Sequence, residues 1–444
     1  MDITDALAWL DGHVNMEKGA GLNDPPGAAV PPRRLSPPSL DRMRKLLAYL
    51  GDPQLDVPVV HLTGTNGKGS TARMVSSLLR EAGQRVGTYT SPHLERLNER
   101  IAFNGDPISD DELALTLTDV ALAESVAGDP CSFFELTTAA AYRWFGDIAV
   151  DVGVIEVGMG GTWDATSAAD GHVAVITNVE LDHMEYFGST REDIAREKSG
   201  IIKEGSIALI GETDPAISAL LHQLATERGA AEVWQRGEHF ECVSNKLALA
   251  GRALTLRTPN RTYTDVFVPL HGRHQGDNAA VALAAVEAFL GDSLDDETVQ
   301  AGFASVVNPG RLEVVGRRPL VVIDGAHNPA GAVAAGAALD EEFSTLTGRV
   351  VVMGLLDGRD ERQMLDALTR DAKLVIAVAP PSPRAMDPLR IVAAAQAAGI
   401  EAKVAPSVAR ALADALAAAE ETDMVLVTGS LYLVGAARPL LVKR

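Results

Sequence analysis

The residues with the clearest chemical potential stand in the run Gly64-Thr65-Asn66-Gly67-Lys68-Gly69-Ser70, after an apolar stretch, Val57 to Thr63. A helical pattern follows, Thr71 to Ala82, with apolar Met74, Val75, Leu78 and Leu79 at helical spacing. Glycines let backbone N–H groups turn onto phosphate oxygens, a helix start adds partial positive charge, and Lys68 can neutralise a terminal phosphate. The run therefore predicts a cradle for a nucleoside triphosphate. It departs from G-x-x-x-x-G-K-[ST] by a shorter lead-in and an extra glycine between Lys68 and Ser70. Alone it would read as a glycine-rich turn with a solvated lysine; the order strand, loop, lysine, helix is what favours phosphate. No G-x-G-x-x-G follows the first strand, and Gly158-Met159-Gly160-Gly161 follows a later one, so a dinucleotide-binding oxidoreductase is rejected.

A triphosphate needs Mg²⁺, a hard ion that prefers oxygen ligands. Ser91 follows the predicted strand Val86 to Thr90, and Glu156 lies in the predicted strand Val152 to Val157. Ligands at the carboxyl ends of parallel strands converge, and a buried carboxylate without a cation is costly. Glu156 could instead be a strand-end acid satisfied by backbone; the metal reading is preferred. A further polar strand exit, Thr177-Asn178-Val179-Glu180-Leu181-Asp182-His183, precedes a helical stretch with Glu197, Lys198 and Lys203. A lone histidine is more often structural, but His183 at a strand exit and Lys198 on a returning helix raise the odds of a shared site. With its ordinary pKa of about 10.4, Lys198 would repel Mg²⁺, so facing the metal it must be modified or paired with acid.

The elements that would position these residues read as α/β. Short apolar runs, Val57 to Thr63, Val86 to Thr90, Val152 to Val157 and Val173 to Thr177, alternate with helical stretches, which indicates a largely parallel sheet. From Glu232 to Pro269 the pattern changes to short alternating segments, a small antiparallel excursion, and an alanine-rich helix follows from Gly276 to Leu290. Turn residues Asn308-Pro309-Gly310 precede a second α/β series with strands Leu320 to Ile323, Val350 to Met353, Leu374 to Val378 and Met424 to Val427. The expected division is 1–308 and 309–444, within the two-domain prior for 444 residues. Gly19 to Ser39, dense in Pro and Gly, reads as a loop or mobile arm.

Taken in order, several segments resemble the Mur ligase superfamily, specifically its folylpolyglutamate synthase/dihydrofolate synthase branch. They are the loop from Gly64 to Ser70; Thr90-Ser91-Pro92-His93-Leu94; Glu156 to Gly161 with Asp164-Ala165-Thr166; Asp182-His183; Arg196-Glu197-Lys198; His271 to Gln275 with Asn278; Pro309-Gly310-Arg311; and Asp324 to Pro329. The resemblance implies an N-terminal P-loop ATPase-like domain with a mostly parallel sheet plus a small antiparallel one, and a smaller C-terminal Rossmann-like α/β domain. It implies that Ser91 and Glu156 hold one Mg²⁺ and His183 a second, with Lys198 carboxylated to a carbamate that replaces a repelling ammonium by oxygen. By the same likeness Gly64, Thr65, Asn66, Gly67, Lys68, Gly69 and Ser70 bind ATP, and Asn278, Arg311 and Asp324 complete that site from the far side of a cleft. Lys68, His183, Lys198, Arg311 and His327 are the implied catalytic set. Phe133, Phe134 and Glu135, with Trp163, Asp164 and Ala165, fall where the family contacts its pterin. The expected reaction is ATP-dependent ligation of glutamate to a folate carboxylate through an acyl phosphate, with a monovalent cation as a further candidate. Bifunctional bacterial members often carry an Asp-Leu-Gly type segment where this chain has Pro37-Pro38-Ser39 before Leu40-Asp41-Arg42, so glutamate extension of existing folates is the better supported half of the assignment.

Bulk properties narrow the alternatives. The net charge of -21 opposes a general binder of nucleic acid or anionic membrane. Two cysteines, Cys131 and Cys242, form no disulfide framework or zinc spacing, and the first residues lack a basic, apolar leader, so a cytoplasmic protein is expected. A monomer is the default expectation, and the resemblance implies small-molecule partners: ATP, L-glutamate and a reduced folate or dihydropteroate. A peptidoglycan amino-acid ligase would need a nucleotide-sugar domain before the phosphate loop, for which the chain ahead of Gly64 is too short. A related ligase acting on another carboxylate, a kinase and a non-catalytic nucleotide-binding regulator are the remaining rivals.

Overall fold

The computed structural model describes residues 1–17 and 40–442. The Pro- and Gly-rich stretch and the Pro37-Pro38-Ser39 departure lie outside those residues. By backbone contacts the chain forms two units: 1–246 with 253–268 and 275–306, and 307–444 with 247–252 and 269–274.

In the first unit eight strands form one sheet: β1 (Val59–Thr63), β2 (Val86–Tyr89), β3 (Ile101–Phe103), β4 (Asp106–Pro107), β5 (Val152–Glu156), β6 (Gly171–Ile176), β7 (Ile207–Ile210) and β8 (Glu232–Gln235), in the order β4-β3-β2-β5-β1-β6-β7-β8. Only the β3 pairings with β2 and β4 are antiparallel among the pairings of this sheet. Every residue of β1, β2 and β5 is buried, as a parallel sheet covered on both faces requires. One core cluster packs Leu46, Leu47, Leu136, Tyr142 and Phe145 with Tyr89 and Ile155, and another packs Ile194, Ile201 and Leu221 with Ile176 and Ile210. A small antiparallel sheet follows, β9 (Glu241–Ala248), β10 (Gly251–Arg257) and β11 (Thr262–Val268), in the order β11-β10-β9. The segment Glu232–Gln235, expected to open that excursion, instead extends the large sheet as β8, paired parallel with β7. Its four residues alternate too little to distinguish the two sheets.

The second unit holds six strands, β12 (Glu313–Arg317), β13 (Leu320–Asp324), β14 (Arg349–Met353), β15 (Ala372–Ala377), β16 (Ala402–Val404) and β17 (Met424–Thr428), in the order β12-β13-β17-β14-β15-β16. β12 is antiparallel to β13 and the other pairings are parallel. The stretches 247–252 and 269–274 join this unit through a cluster of charge. Arg252, 0% exposed, lies 3.1 Å from both Glu341 and Glu342; His271 Nδ1 lies 2.6 Å from Glu342, and Arg273 lies 2.9 Å from Glu341. Among the described residues no helix is long and apolar enough to cross a membrane.

Candidate active site

The carboxyl ends of four adjacent strands, β2, β5, β1 and β6, carry Ser91, Glu156, the phosphate loop and the Thr177–His183 exit. This is where an open parallel sheet presents loops to a ligand. The helix after the loop runs from Lys68 to Glu81, with Gly67 at its N-cap in the left-handed region, φ +83°. It begins three residues before the periodicity of the apolar face allows, because Lys68 and Gly69 leave no apolar mark.

The loop is latched to the β6 exit. Asn66 N donates to Asn178 Oδ1 at 2.9 Å, Thr177 Oγ1 donates to Asn66 O at 2.7 Å, and Glu180 N donates to Thr65 Oγ1 at 2.9 Å. Lys68 Nζ donates back to Gly64 O at 2.9 Å, so the ammonium is held within the loop's own curve. Asn278, on the helix His274–Leu290, faces Gly67 so closely that a Cβ there would lie 2.6 Å from its Oδ1. Two of the expected nucleotide contacts, the loop and Asn278, are thus brought together within the first unit.

Glu156 is 5% exposed, and its Oε2 accepts from Ser91 N at 3.1 Å. A Cβ at Gly69 would lie 3.3 Å from Glu156 Oε2, so the missing side chain lets the carboxylate approach the first helical turn. The Glu156 carboxylate beside the phosphate-loop helix, with Ser91 bonded to it, offers hard oxygen donors of the kind Mg²⁺ prefers. Among the described residues no three His, Cys, Asp or Glu side chains converge as a metal cage by themselves.

Lys198 ends the helix Arg191–Lys198 and is 5% exposed. Burial, and next the positive charge of Lys68, push its pKa well below the usual lysine range, against the pull of Asp182, Glu197 and Asp164. A buried lysine driven toward the neutral amine is the form that can add CO₂. His183 sits in the left-handed region, φ 52°, as N-cap of the short helix Met184–Phe187, with its amide donating to Asp182 Oδ1 at 2.9 Å. Asp182 was not among the expected site residues, nor was Asn178. Their polar strand exit was visible, but not which loop each would meet.

The expected pterin contacts divide. Phe134 covers Gly158, where a Cβ would lie 2.4 Å from its ring, and Trp163 is half-buried, 5.8 Å from the Phe187 ring. Phe133 and Ala165, 4% and 5% exposed, lie in the core, and the Arg100 guanidinium stands 5.3 Å over the Phe133 ring. Glu135 closes a capping box with Ser132 and receives the Arg42 fork at 3.0 and 2.7 Å. Asp164 is buried, and burial pushes its pKa up to about 6, although Thr166 and the Met159 and Gly158 amides all donate to it. It secures the turn after Glu156.

In the second unit Arg311, Asp324 and His327 gather around Gly325 at the end of β13. Arg311 Nη1 donates to Gly325 O at 3.3 Å, His327 Nδ1 lies 3.0 Å from the same oxygen, and Asp324 accepts from the Leu312 and Ala326 amides, each at 2.9 Å.

Comparison with known proteins matches two family models: the Mur ligase middle domain over residues 135–286, and the Mur ligase glutamate ligase domain over residues 310–431. The chain is 39% identical to the dihydrofolate synthase/folylpolyglutamate synthase of Mycobacterium tuberculosis, over 91% of this chain and 90% of that protein. It is 36% identical to the folylpolyglutamate synthase of Lacticaseibacillus casei, over 90% and 94%. Among solved structures, Mycobacterium tuberculosis folylpolyglutamate synthase complexed with ADP is similar with a TM-score of 0.89, at 36% identity, covering 100% of this chain and 98% of that one. Escherichia coli FolC in complex with DHPP and ADP gives 0.84 at 29% identity, covering 99% and 97%.

Proposed function

From a chain that belongs to the folylpolyglutamate synthase/dihydrofolate synthase family of Mur ligases, we infer an enzyme that uses ATP to ligate L-glutamate to the carboxylate of a folate. The extension of reduced folates is the primary activity proposed, with dihydropteroate to dihydrofolate as a second. The observation that carries this reading is Glu156 and Ser91 bound together over the first turn of the phosphate-loop helix, with the buried amine of Lys198 under the charge of Lys68.

A carboxylate resists attack by an amine until its oxygen becomes a leaving group. Transfer of the γ-phosphoryl group to the folate carboxylate makes an acyl phosphate; the glutamate amine then attacks the acyl carbon, and phosphate leaves with the C–O electron pair. The loop amides and Lys68 orient the triphosphate and offset its charge. Mg²⁺, when bound, would supply Lewis-acid stabilisation of the phosphate oxygens. Glu156 and Ser91 are proposed to hold one such ion, and His183 with a Lys198 carbamate a second. Phe134 and Trp163 are the aromatic surfaces proposed for the pterin, with Phe133, Glu135, Asp164 and Ala165 forming their support. Arg311, Asp324 and His327 are assigned to nucleotide and acyl phosphate by family likeness. Residues 1–308 are proposed as the ATP- and folate-binding domain and 309–444 as the glutamate ligase domain. A monomer in the cytoplasm, with a monovalent cation as activator, completes the proposal.

The test is phosphate release by the purified protein with Mg-ATP and glutamate, with tetrahydrofolate, with dihydropteroate, or with neither. Release with both acceptors supports the bifunctional reading, release with tetrahydrofolate alone confines it to chain extension, and silence with both rejects it.

A further inference from the structure

His61 and Thr63 stand two residues apart on β1 and therefore share one face of the sheet. Thr63 Oγ1 donates to Gly160 O at 2.7 Å. His61 is 0% exposed, and its Nε2 lies 2.8 Å from Thr166 Oγ1. The single proton of that hydroxyl is already committed, because Thr166 Oγ1 donates to Asp164 Oδ1 at 2.5 Å. With Asp164 ionised, the hydroxyl must accept from the imidazole, which places the ring proton on Nε2. Nδ1 is then a bare nitrogen, and among the described residues it has no hydrogen-bond partner.

A buried ring nitrogen without a partner is a cost that an apolar side chain of similar size would avoid, so filling space does not account for histidine here. The polar chain that it starts does. Asp164 Oδ1 also accepts from Thr166 N at 3.0 Å, and Oδ2 accepts from Met159 N at 2.9 Å. The turn so held, Gly158 to Gly161, begins two residues after Glu156, and a Cβ at Gly161 would lie 2.8 Å from the Lys198 carbonyl oxygen.

We propose that His61 is a positioning residue: as a neutral, Nε2-protonated imidazole it aims the Thr166 hydroxyl at Asp164, and through Asp164 it fixes the turn between Glu156 and the Lys198 backbone. The strand that delivers the phosphate loop thereby also sets the wall beside it. Burial, with the charge of Lys203, pushes the His61 pKa down to about 3, which keeps the ring in that neutral form through the physiological range. The functional part of this inference rests on the ligase reading above; the tautomer does not.

The experiment uses the full chain. His61→Gln returns an amide N–H near the Nε2 position, His61→Asn returns one near Nδ1, and His61→Leu returns none. Thr166→Ser keeps the hydroxyl and Thr166→Val removes it. For tetrahydrofolate-dependent phosphate release, kcat is expected to fall about tenfold or more in His61→Leu, His61→Asn and Thr166→Val, as for loss of a buried hydrogen bond. His61→Gln and Thr166→Ser should stay within about twofold of the parent, the KM for ATP should change little in all, and the Leu/Val double variant should be no slower than either single one. Independently of activity, ¹⁵N NMR of the histidine-labelled parent should show His61 as the Nε2–H tautomer. An Nδ1–H tautomer, a Gln variant as slow as the Leu variant, or additive losses would overturn the proposal. If the parent itself releases no phosphate with a folate, the ligase reading fails while the NMR result still decides the tautomer.

Discussion

Lys198 and Glu156 show how far a side chain's surroundings decide its chemistry. An exposed lysine is an ammonium at neutral pH; Lys198, buried and next to the charge of Lys68, is driven toward the amine. If Lys198 takes the role proposed for it, Lys198→Met is expected to lower kcat by about 10³-fold or more without changing ADP binding measured calorimetrically, since the loop itself is untouched. Stripping dissolved CO₂ from the wild type should slow it and bicarbonate should restore it; a rate indifferent to CO₂ would remove the carbamate. Glu156→Gln, which keeps the shape but not the charge, should raise the Mg²⁺ concentration for half-maximal rate by about tenfold or more, and an unchanged Mg²⁺ titration would count against the ligand role. Glu156, Ser91 and Lys198 stand out as candidates in the sequence because of where they lie: an acid ending an apolar strand, a serine at a strand exit, a lysine on a helix returning to the strand exits. The contact of Asn178 with Asn66 is not readable in that way, since it depends on which strand exits become neighbours, here those of β1 and β6.

The loop and its helix behave as one element. Gly67 caps the helix at φ +83°, a conformation that costs an L-residue roughly 1–2 kcal/mol, and its missing side chain admits Asn278. Gly67→Ala therefore carries both backbone strain and a clash with Asn278 Oδ1. The expected result is weaker ADP binding by about tenfold or more with a modest fall in melting temperature; binding as tight as the parent's would show that the Asn278 approach is unimportant. Apolar spacing revealed the buried face of this helix but not its first turn. Alternation likewise revealed β10 and β11 but assigned β8 to the wrong sheet, because four half-buried residues carry too short a pattern to name their neighbours.

For the molecule as a whole, turn residues near Asn308-Pro309-Gly310 suggest a single boundary, whereas the chain passes between units at 246/247, 252/253, 268/269, 274/275 and 306/307. The short returns are held by Arg252, His271 and Arg273 on Glu341 and Glu342, long-range partners that no local pattern announces. Burial acts to raise the Glu342 pKa, but His271, the Gly272 amide and Arg252 more than reverse it, so it lies below the usual carboxylate range. A depressed folded pKa contributes stability above the unfolded value, about 4.3, and loses it as pH falls through the folded value. The melting temperature of Glu342→Gln should accordingly fall below the parent's at pH 7 and approach it below about pH 4, and a gap independent of pH would mean that shape rather than charge matters there. A fragment 307–444 lacks all three basic partners and should melt lower than one to which 247–252 and 269–274 are joined. The interleaving also bears on how such a protein can be rebuilt. A graft that exchanges everything after residue 306 for the corresponding part of a relative would inherit foreign acids opposite native bases, so the unit of exchange is a patchwork of three stretches rather than a tail, and chimeras should succeed only when all three change together.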